Sequence, residues 1–194
     1  MPKIDAPTVV EHHARQRAAL LRAAEEILAD GGIEALTLAA VGRAAGLARS
    51  SVYQYFDSAP ALIAALVEDL LPRSVEHLTA VSAQAGGPRA QVEAFVVAAL
   101  RTATAPTHRA LAVLATAALP AECSARLAEL HGDQLAPLRA ALSDLAVPDP
   151  GLTATLLMGV VQAAAVAVEA GQPLDAVVRR TLAIVRGAVD AATD

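Results

Sequence analysis

The stretch Leu36–Phe56, LTLAAVGRAAGLARSSVYQYF, contains two short amphipathic segments joined by a glycine. Thr37 is placed to cap the first segment with its side-chain oxygen, and Gly46 provides the positive φ that ends it. The second segment, RSSVYQYF, begins at Arg49. Apolar residues of both segments are spaced to face one core: Leu38, Val41, Leu47, Val52 and Phe56. The pattern predicts a helix-turn-helix whose second helix spans Arg49 to Phe56.

The second helix of this motif carries polar side chains that can read DNA. Val52 and Phe56 are four residues apart and share the inward face, so the other side chains are left outside. A single helix fits the major groove of B-DNA, where arginine, glutamine and serine bind base edges and phosphates. Each of these residues alone would be an ordinary surface group. Together on one helix they favour DNA binding.

Three of the four Phe, Tyr and Trp residues of the chain lie in this helix, at Tyr53, Tyr55 and Phe56. Phe56 is predicted to fill the core of the motif. A tyrosine ring can pack while its hydroxyl reaches a polar partner, so Tyr53 and Tyr55 are predicted to pack and to contact phosphates.

The composition predicts an all-α protein. Of 194 residues, 55% are hydrophobic and 18% are charged, and alanine and leucine are abundant. A first helix is expected from about residue 10 to 30, where Gly31 and Gly32 end it. Ser58 is a candidate cap for a fourth helix, which Pro72 would stop or kink after Leu71.

Cysteine usage indicates the cellular compartment of the protein, and hydropathy indicates whether a segment spans a membrane. The single cysteine, Cys123, permits no internal disulfide, and the N-terminus lacks the order of a signal peptide, so a cytoplasmic protein is expected. The stretch 152–171 has the length of a membrane span but contains threonines, Gln162 and Glu169 and lacks a basic flank. It is interpreted as a buried helix at an intrachain or subunit interface, with no membrane partner.

Charge is distributed unevenly along the chain. The formal net charge is −5, yet residues 1–56 contain six basic and six acidic side chains and are neutral. Any contact with nucleic acid is therefore expected at the N-terminal end.

From Leu20 to Leu66 the chain resembles the DNA-binding domain of TetR-type (tetracycline repressor family) transcriptional regulators. The residues that carry the resemblance are Ala23-Ala24, Gly32, Thr37, Ala45-Gly46, Tyr53 and Phe56. It implies about nine helices: a three-helix DNA-binding domain over residues 8–56, then a helical bundle over 57–194 for effector binding and dimerisation. Helix four, from about residue 58, would link the two.

The resemblance also implies where DNA would be bound. Thr37 would touch a phosphate from its helix N-terminus, the residues from Arg49 to Gln54 would meet the groove, and the two tyrosines would hold backbone phosphates. The DNA-binding residues expected are Thr37, Arg43, Ala48, Arg49, Ser50, Ser51, Tyr53, Gln54 and Tyr55.

The sequence departs from the family pattern at three places. Ala59 stands where a phosphate-binding lysine is usual, Ala48 replaces a capping serine, and Tyr55 replaces a frequent histidine. The missing lysine predicts a weaker salt dependence of DNA binding, since each phosphate neutralised contributes a log–log slope of about −0.9. Arg43, Arg15 or Arg17 could take its place.

The C-terminal helices near residues 152–171 and 174–190 are expected to form a homodimer. Gly159, Ala163 and Ala167 recur every four positions, which would let helices of two subunits approach closely in a four-helix bundle. The last helix carries an apolar stripe that is expected to meet this partner: Leu174, Val177, Val178, Thr181, Leu182, Val185 and Val189. A dimer would place two reading helices about 34 Å apart, so the operator is expected to be palindromic.

An effector pocket is expected between Val75 and Leu145, and Phe95 is a candidate lining residue. The expected effector is a small apolar or amphipathic molecule. A metal sensor of the same fold is an alternative, but His77, His108, His131 and Cys123 have no close ligand spacing, and no metal or cofactor is predicted. A helical enzyme is a further alternative. The sequence does not favour it, because it contains no nucleophile with a nearby base and no glycine-rich phosphate loop. The sequence thus predicts a DNA-binding transcriptional repressor released by an effector.

Overall fold

The computed structural model describes residues 9–106, 108 and 134–193. Every regular element in these ranges is a helix, which confirms the all-α prediction. The helices are α1 (Val9–Ala35), α2 (Leu38–Ala44), α3 (Arg49–Val52), α4 (Ala59–Ala83), α5 (Pro88–Thr104), α6 (Ala136–Asp144), α7 (Pro150–Glu169) and α8 (Leu174–Thr193). The described residues form two compact units, 9–69 and 70 onward, so the division falls within α4. Cys123 and His131 lie outside the described residues.

The first unit is built around apolar side chains from four helices. Its buried residues include Leu20, Ala24 and Leu28 of α1, Leu38 and Val41 of α2, Val52 and Phe56 at α3, and Leu62 and Leu66 of α4. Leu47, also expected in this core, is half-buried. The helix-turn-helix prediction is therefore confirmed, and its core contains all the expected apolar residues except Leu47.

The first helix is interrupted where the sequence predicts its end. Gly32 adopts φ 65° and ψ −166°, which is not helical, so the prediction that the two glycines end the helix is confirmed. A further helical turn follows the interruption and extends α1 to Ala35. Glycine is the residue that takes this positive φ without steric cost.

The reading helix is shorter than predicted. Regular α-helix covers Arg49–Val52, not Arg49 to Phe56, because the next amides bond three residues back: Gln54 N donates to Ser51 O at 3.1 Å, and Tyr55 N to Val52 O at 3.0 Å. Phe56 N still donates to Val52 O at 3.0 Å. That bond keeps Phe56 on the inward face.

The fourth helix does not end at Leu71. It continues through Pro72 to Ala83, although proline cannot donate the amide hydrogen bond of a helix interior. Leu71 and Leu78, on either side of the proline, are both buried. Their burial offsets the lost hydrogen bond, so the helix persists.

The second unit packs α5 against α6 and α7, with α8 on α5 and α7. Its core contains Phe95, Leu100, Leu138 and Leu142, all fully buried. The apolar stripe of α8 belongs to this core as well, because Thr181, Val185 and Val189 are at most 3% exposed within a single chain. The prediction that this stripe meets a partner subunit is therefore wrong.

One helix in the described ranges, α7, is long and apolar enough to cross a membrane by length and composition alone. Core helices pass the same test, so the match does not indicate insertion. Only 28% of its most apolar window is buried, and the large side chains left exposed are Leu152, Leu156 and Val166. The outward face of α7 is thus apolar and uncovered in the single chain.

Candidate nucleic-acid interface

The turn between α1 and α2 is fixed by Thr37. The backbone of Thr37 is extended (φ −123°, ψ 150°). The Thr37 Oγ1 accepts a hydrogen bond from Ala40 N at 3.1 Å, which confirms the predicted cap. A hydroxyl that accepts one bond keeps its own hydrogen for a second partner. Thr37 is exposed, so that hydrogen can meet a ligand at the start of α2.

Gly42 and Gly46 determine how α3 follows α2. Gly46 has φ 70°, and Leu47 N donates to Gly42 O at 2.8 Å, which closes the turn. Gly42 lies inside α2, is buried, and packs against Val52. Gly42 was not predicted from the sequence, although a glycine inside a helical pattern signals a close approach of two elements.

The α3 face comprises the exposed residues of the reading segment: Ala48, Arg49, Ser50, Tyr53 and Gln54. Val52, in the same segment, is fully buried. The structure therefore separates inward and outward positions as the spacing predicted. Ser51 is half-buried, and Arg43 of α2 is exposed.

Arg49 and Tyr53 contact each other on the α3 face. Arg49 Nη2 donates to the Tyr53 hydroxyl oxygen at 3.3 Å, and its Cζ lies 5.9 Å from the ring centroid. The hydrogen bond that Arg49 donates to Tyr53, and then the charge of the ionised phenol, raise the pKa of Arg49 above its usual value. An arginine guanidinium is cationic throughout the accessible pH range even without that shift.

Tyr55 contacts α1. Its hydroxyl donates to Gln16 Oε1, and its ring stacks on His13 with centroids 4.3 Å apart and planes inclined by 29°. The neighbouring Phe56 ring lies 5.7 Å from Arg17 Cζ. Gln16 and His13 were not predictable as partners of Tyr55, because they precede it by about 40 residues and no local pattern links them. The phosphate contact of Tyr55 stays a prediction.

Ala48 and Ala59, which depart from the family pattern, stand at the starts of α3 and α4. Ala48 is the N-cap of α3 and makes no side-chain capping bond. Ala59 begins α4, where Ser58 Oγ accepts from Ala61 N at 3.2 Å, which confirms the predicted cap. Neither alanine can neutralise a phosphate.

Two of the surface grooves in the described part of the second unit could admit a small molecule. The larger, of about 430 Å³, is lined by His77, Val81, Glu93, Ala94, Val97, Ala98, Arg101 and Leu182. The other, of about 400 Å³, is lined by Gly86, Gly87, Pro88, Arg89, Ala90, Glu93 and Leu145. Phe95 is fully buried and lines neither groove, so its contact with an effector stays a prediction.

Metal ligands are not clustered in the described residues: no three His, Cys, Asp or Glu side chains there could hold a metal ion together. His77 lines the larger groove, as do Glu93 and Arg101. The surroundings of Cys123 and His131 fall outside the described ranges.

The sequence of the first unit matches known proteins. The family model "Bacterial regulatory proteins, tetR family" matches residues 20–66. The HTH-type transcriptional regulator BetI of Rhizobium meliloti (strain 1021) is 30% identical over 101 residues, 52% of this chain and 47% of BetI. The chain thus spans about half the length of this curated relative.

The fold extends beyond that match. A protein of unknown function from Rhodococcus sp. RHA1 superimposes with a TM-score of 0.77 at 23% identity, over 98% of this chain and 100% of that one. FadR of Bacillus subtilis, in complex with stearoyl-CoA, superimposes with a TM-score of 0.68 at 15% identity, over 87% and 96% of the two chains. At these identities the likeness shows a shared fold.

Proposed function

We propose that the chain is a TetR-type transcriptional regulator, a homodimeric repressor released from a palindromic DNA operator by a small effector. The observation that carries the proposal is the α3 face. It presents an arginine, a serine, a tyrosine and a glutamine to solvent on a segment whose apolar residues are buried. These are the side chains that bind base edges and phosphates.

The proposed contacts divide between groove and backbone. Arg49, Ser50 and Gln54 meet base edges, with Ala48 and Ser51 beside them at the groove, while Thr37 and Tyr53 donate their hydroxyl hydrogens to phosphates. The remaining proposed phosphate contacts come from Arg43 and Tyr55. Tyr55 already donates to Gln16, so it reaches a phosphate only if the Gln16 amide turns its NH2 group toward the tyrosine oxygen.

The proposed dimer uses the uncovered face of α7 together with α8. Exposed residues of α7 alternate at spacings of four and three, the pattern of a helix seam: Leu152, Leu156, Gly159, Ala163 and Val166. On α8, Ile184 is 57% exposed, with the exposed Gly187 and Ala191 on the same side. The interface therefore involves the helices predicted from the sequence, but the opposite side of α8.

The proposed effector is an apolar or amphipathic small molecule bound in the second unit. The larger groove supports this class, because its lining combines valine, alanine and leucine with His77, Glu93 and Arg101. The structural relative FadR was crystallised with stearoyl-CoA, an amphipathic molecule. We place the regulator in the cytoplasm, where its DNA is. No described residue set favours a metal sensor or an enzyme.

Selection of bound sequences from random duplex DNA with purified protein tests the proposed function. The expected result is a palindromic consensus with half-site centres about 10 base pairs apart, one turn of DNA. A reporter gene placed behind that consensus should be repressed in cells that make the protein. Recovery of unrelated sequences after repeated rounds would sink the proposal.

A further inference from the structure

The contact between Arg49 and Tyr53 has a defined direction. A guanidinium carries five N–H donors and no acceptor, so in the 3.3 Å contact the tyrosine oxygen must be the acceptor. The phenolic hydrogen of Tyr53 is then free for another acceptor. Tyr53 is 42% exposed, so a ligand can reach that hydrogen.

The same contact limits the freedom of Arg49. The side chain is exposed, but its guanidinium donates to the Tyr53 oxygen, and its Cζ lies 5.9 Å from the centroid of the Tyr53 ring. A hydrogen bond of this kind is weak in water and becomes stronger where water is excluded. Binding to DNA would therefore tighten the pair.

From this geometry we infer that Arg49 and Tyr53 read DNA as one unit. Arg49 binds N7 and O6 of a guanine in each half-site, and Tyr53 positions Arg49 while its hydroxyl donates to a neighbouring phosphate. The inference rests on the proposed DNA-binding function and deepens it. Tyr53 is thus a positioning residue for base reading as well as a backbone contact.

Gln54 and Tyr55 provide internal contrasts. Gln54 is exposed on the same segment, but it lies one position beyond Tyr53. Tyr55 is a tyrosine two residues away whose hydroxyl is bonded to Gln16 on α1. Removing either polar group should leave the guanine contact of Arg49 intact.

The test uses the selected consensus as a 30-base-pair duplex in which one guanine at a time is replaced by 7-deazaguanine, which lacks the N7 acceptor. Binding is measured by fluorescence anisotropy for wild type, Arg49→Lys, Tyr53→Phe, Gln54→Ala and Tyr55→Phe. Thermal melting checks that each variant is folded, which the exposure of Arg49 and Tyr53 favours.

At one guanine per half-site, 7-deazaguanine should weaken wild-type binding by about 5- to 150-fold. Arg49→Lys should lose that sensitivity, and Tyr53→Phe should lose most of it and bind all duplexes more weakly. Gln54→Ala and Tyr55→Phe remove other proposed DNA contacts and should weaken binding to every duplex, but the fold-change caused by 7-deazaguanine should stay that of wild type.

Three results would overturn the inference while leaving the proposed function standing: a consensus without guanine in each half-site, Arg49→Lys with undiminished sensitivity, or Tyr53→Phe with undiminished sensitivity. A wild-type protein that selects no consensus would remove the proposed function itself, and this inference with it.

Discussion

A β-carbon at Gly42 of α2 would lie 2.6 Å from Cγ2 of Val52 in α3 and 3.2 Å from the carbonyl oxygen of Leu47. Both distances are shorter than a relaxed carbon contact. The two helices of the helix-turn-helix approach this closely because Gly42 has no side chain. The angle at which α3 is presented therefore depends on one buried glycine.

Gly42→Ala should destabilise the first unit by about 1–3 kcal/mol, since the added methyl must displace Val52 or the α2–α3 turn. Tyrosine fluorescence during urea unfolding measures this unit selectively, because the chain has no Trp and its two tyrosines are Tyr53 and Tyr55. Ala39→Ser, which adds one heavy atom at an exposed position of α2, is the control. Equal midpoints for both variants would show that the close approach is not needed.

The hydrogen bond between Gln16 and Tyr55 should stabilise the first unit measurably. We expect the variants Gln16→Ala and Tyr55→Phe to be coupled by about 0.5–1.5 kcal/mol in a double-mutant cycle, because each removes the same contact. Unfolding is followed by circular dichroism, since Tyr55→Phe changes the fluorescence. Gln84→Ala, at an exposed glutamine, should show no coupling with Tyr55→Phe. Additive effects of Gln16 and Tyr55 would contradict the contact.

The ion pair of Glu93 with Arg186 joins α5 to α8 through contacts of 2.8 and 2.6 Å. The hydrogen bond from Arg186 lowers the pKa of Glu93 below its ordinary value of 4.5, against a smaller opposing effect of burial. A carboxylate with a lowered folded-state pKa adds stability above its unfolded pKa and loses it as the pH falls through the folded value.

Glu93→Gln should therefore lower the melting temperature by about 1–3 °C at pH 7, where the pair is intact, and by less at pH 3. Scanning calorimetry at both pH values measures the difference. Glu76→Gln, at an exposed glutamate of α4, is the control. A deficit of Glu93→Gln that is as large at pH 3 as at pH 7 would contradict the ionic origin.

Leu156→Glu should dissociate the proposed dimer, because it buries a charge on the apolar face of α7, where Leu156 is 62% exposed in the single chain. The dissociation constant should rise about 100-fold or more, as measured by analytical ultracentrifugation. Val10→Glu makes the same change at an exposed residue of α1, 76% exposed, and should leave the dimer intact. If the Leu156→Glu protein still sedimented with the molecular mass of a dimer, the interface would lie elsewhere.

Local signals predicted the helix-turn-helix correctly. Thr37, Gly46 and Phe56 act within a few residues of their own positions, through a capping bond, a positive φ and a buried ring. Helix caps and turns depend on neighbouring residues, so they can be predicted from the sequence before the fold is known. The length of α3 was not predictable. After Val52 the backbone amides donate to carbonyls three residues back, and this change leaves the same residues facing inward, so the apolar pattern does not reveal it.

Packing between distant elements was not predictable. The stripe of α8 was assigned to a partner subunit, yet Thr181, Val185 and Val189 are buried in the same chain. Periodicity shows that a helix has an apolar face and does not show which surface covers it. The continuation of α4 through Pro72 has the same origin, because the burial of Leu71 and Leu78 outweighs a local penalty.

The most direct test of the α3 face as the DNA-reading surface is cleavage of the selected duplex by iron-EDTA attached to a cysteine at Ser50, in a Cys123→Ser background. Ser50 is exposed on α3, and Ala83→Cys at the end of α4 is the control. We expect two clusters of cuts about 10 base pairs apart, one in each half-site, from the Ser50 position and diffuse cleavage from the control. Diffuse cleavage from both positions would contradict the placement of α3 in the major groove.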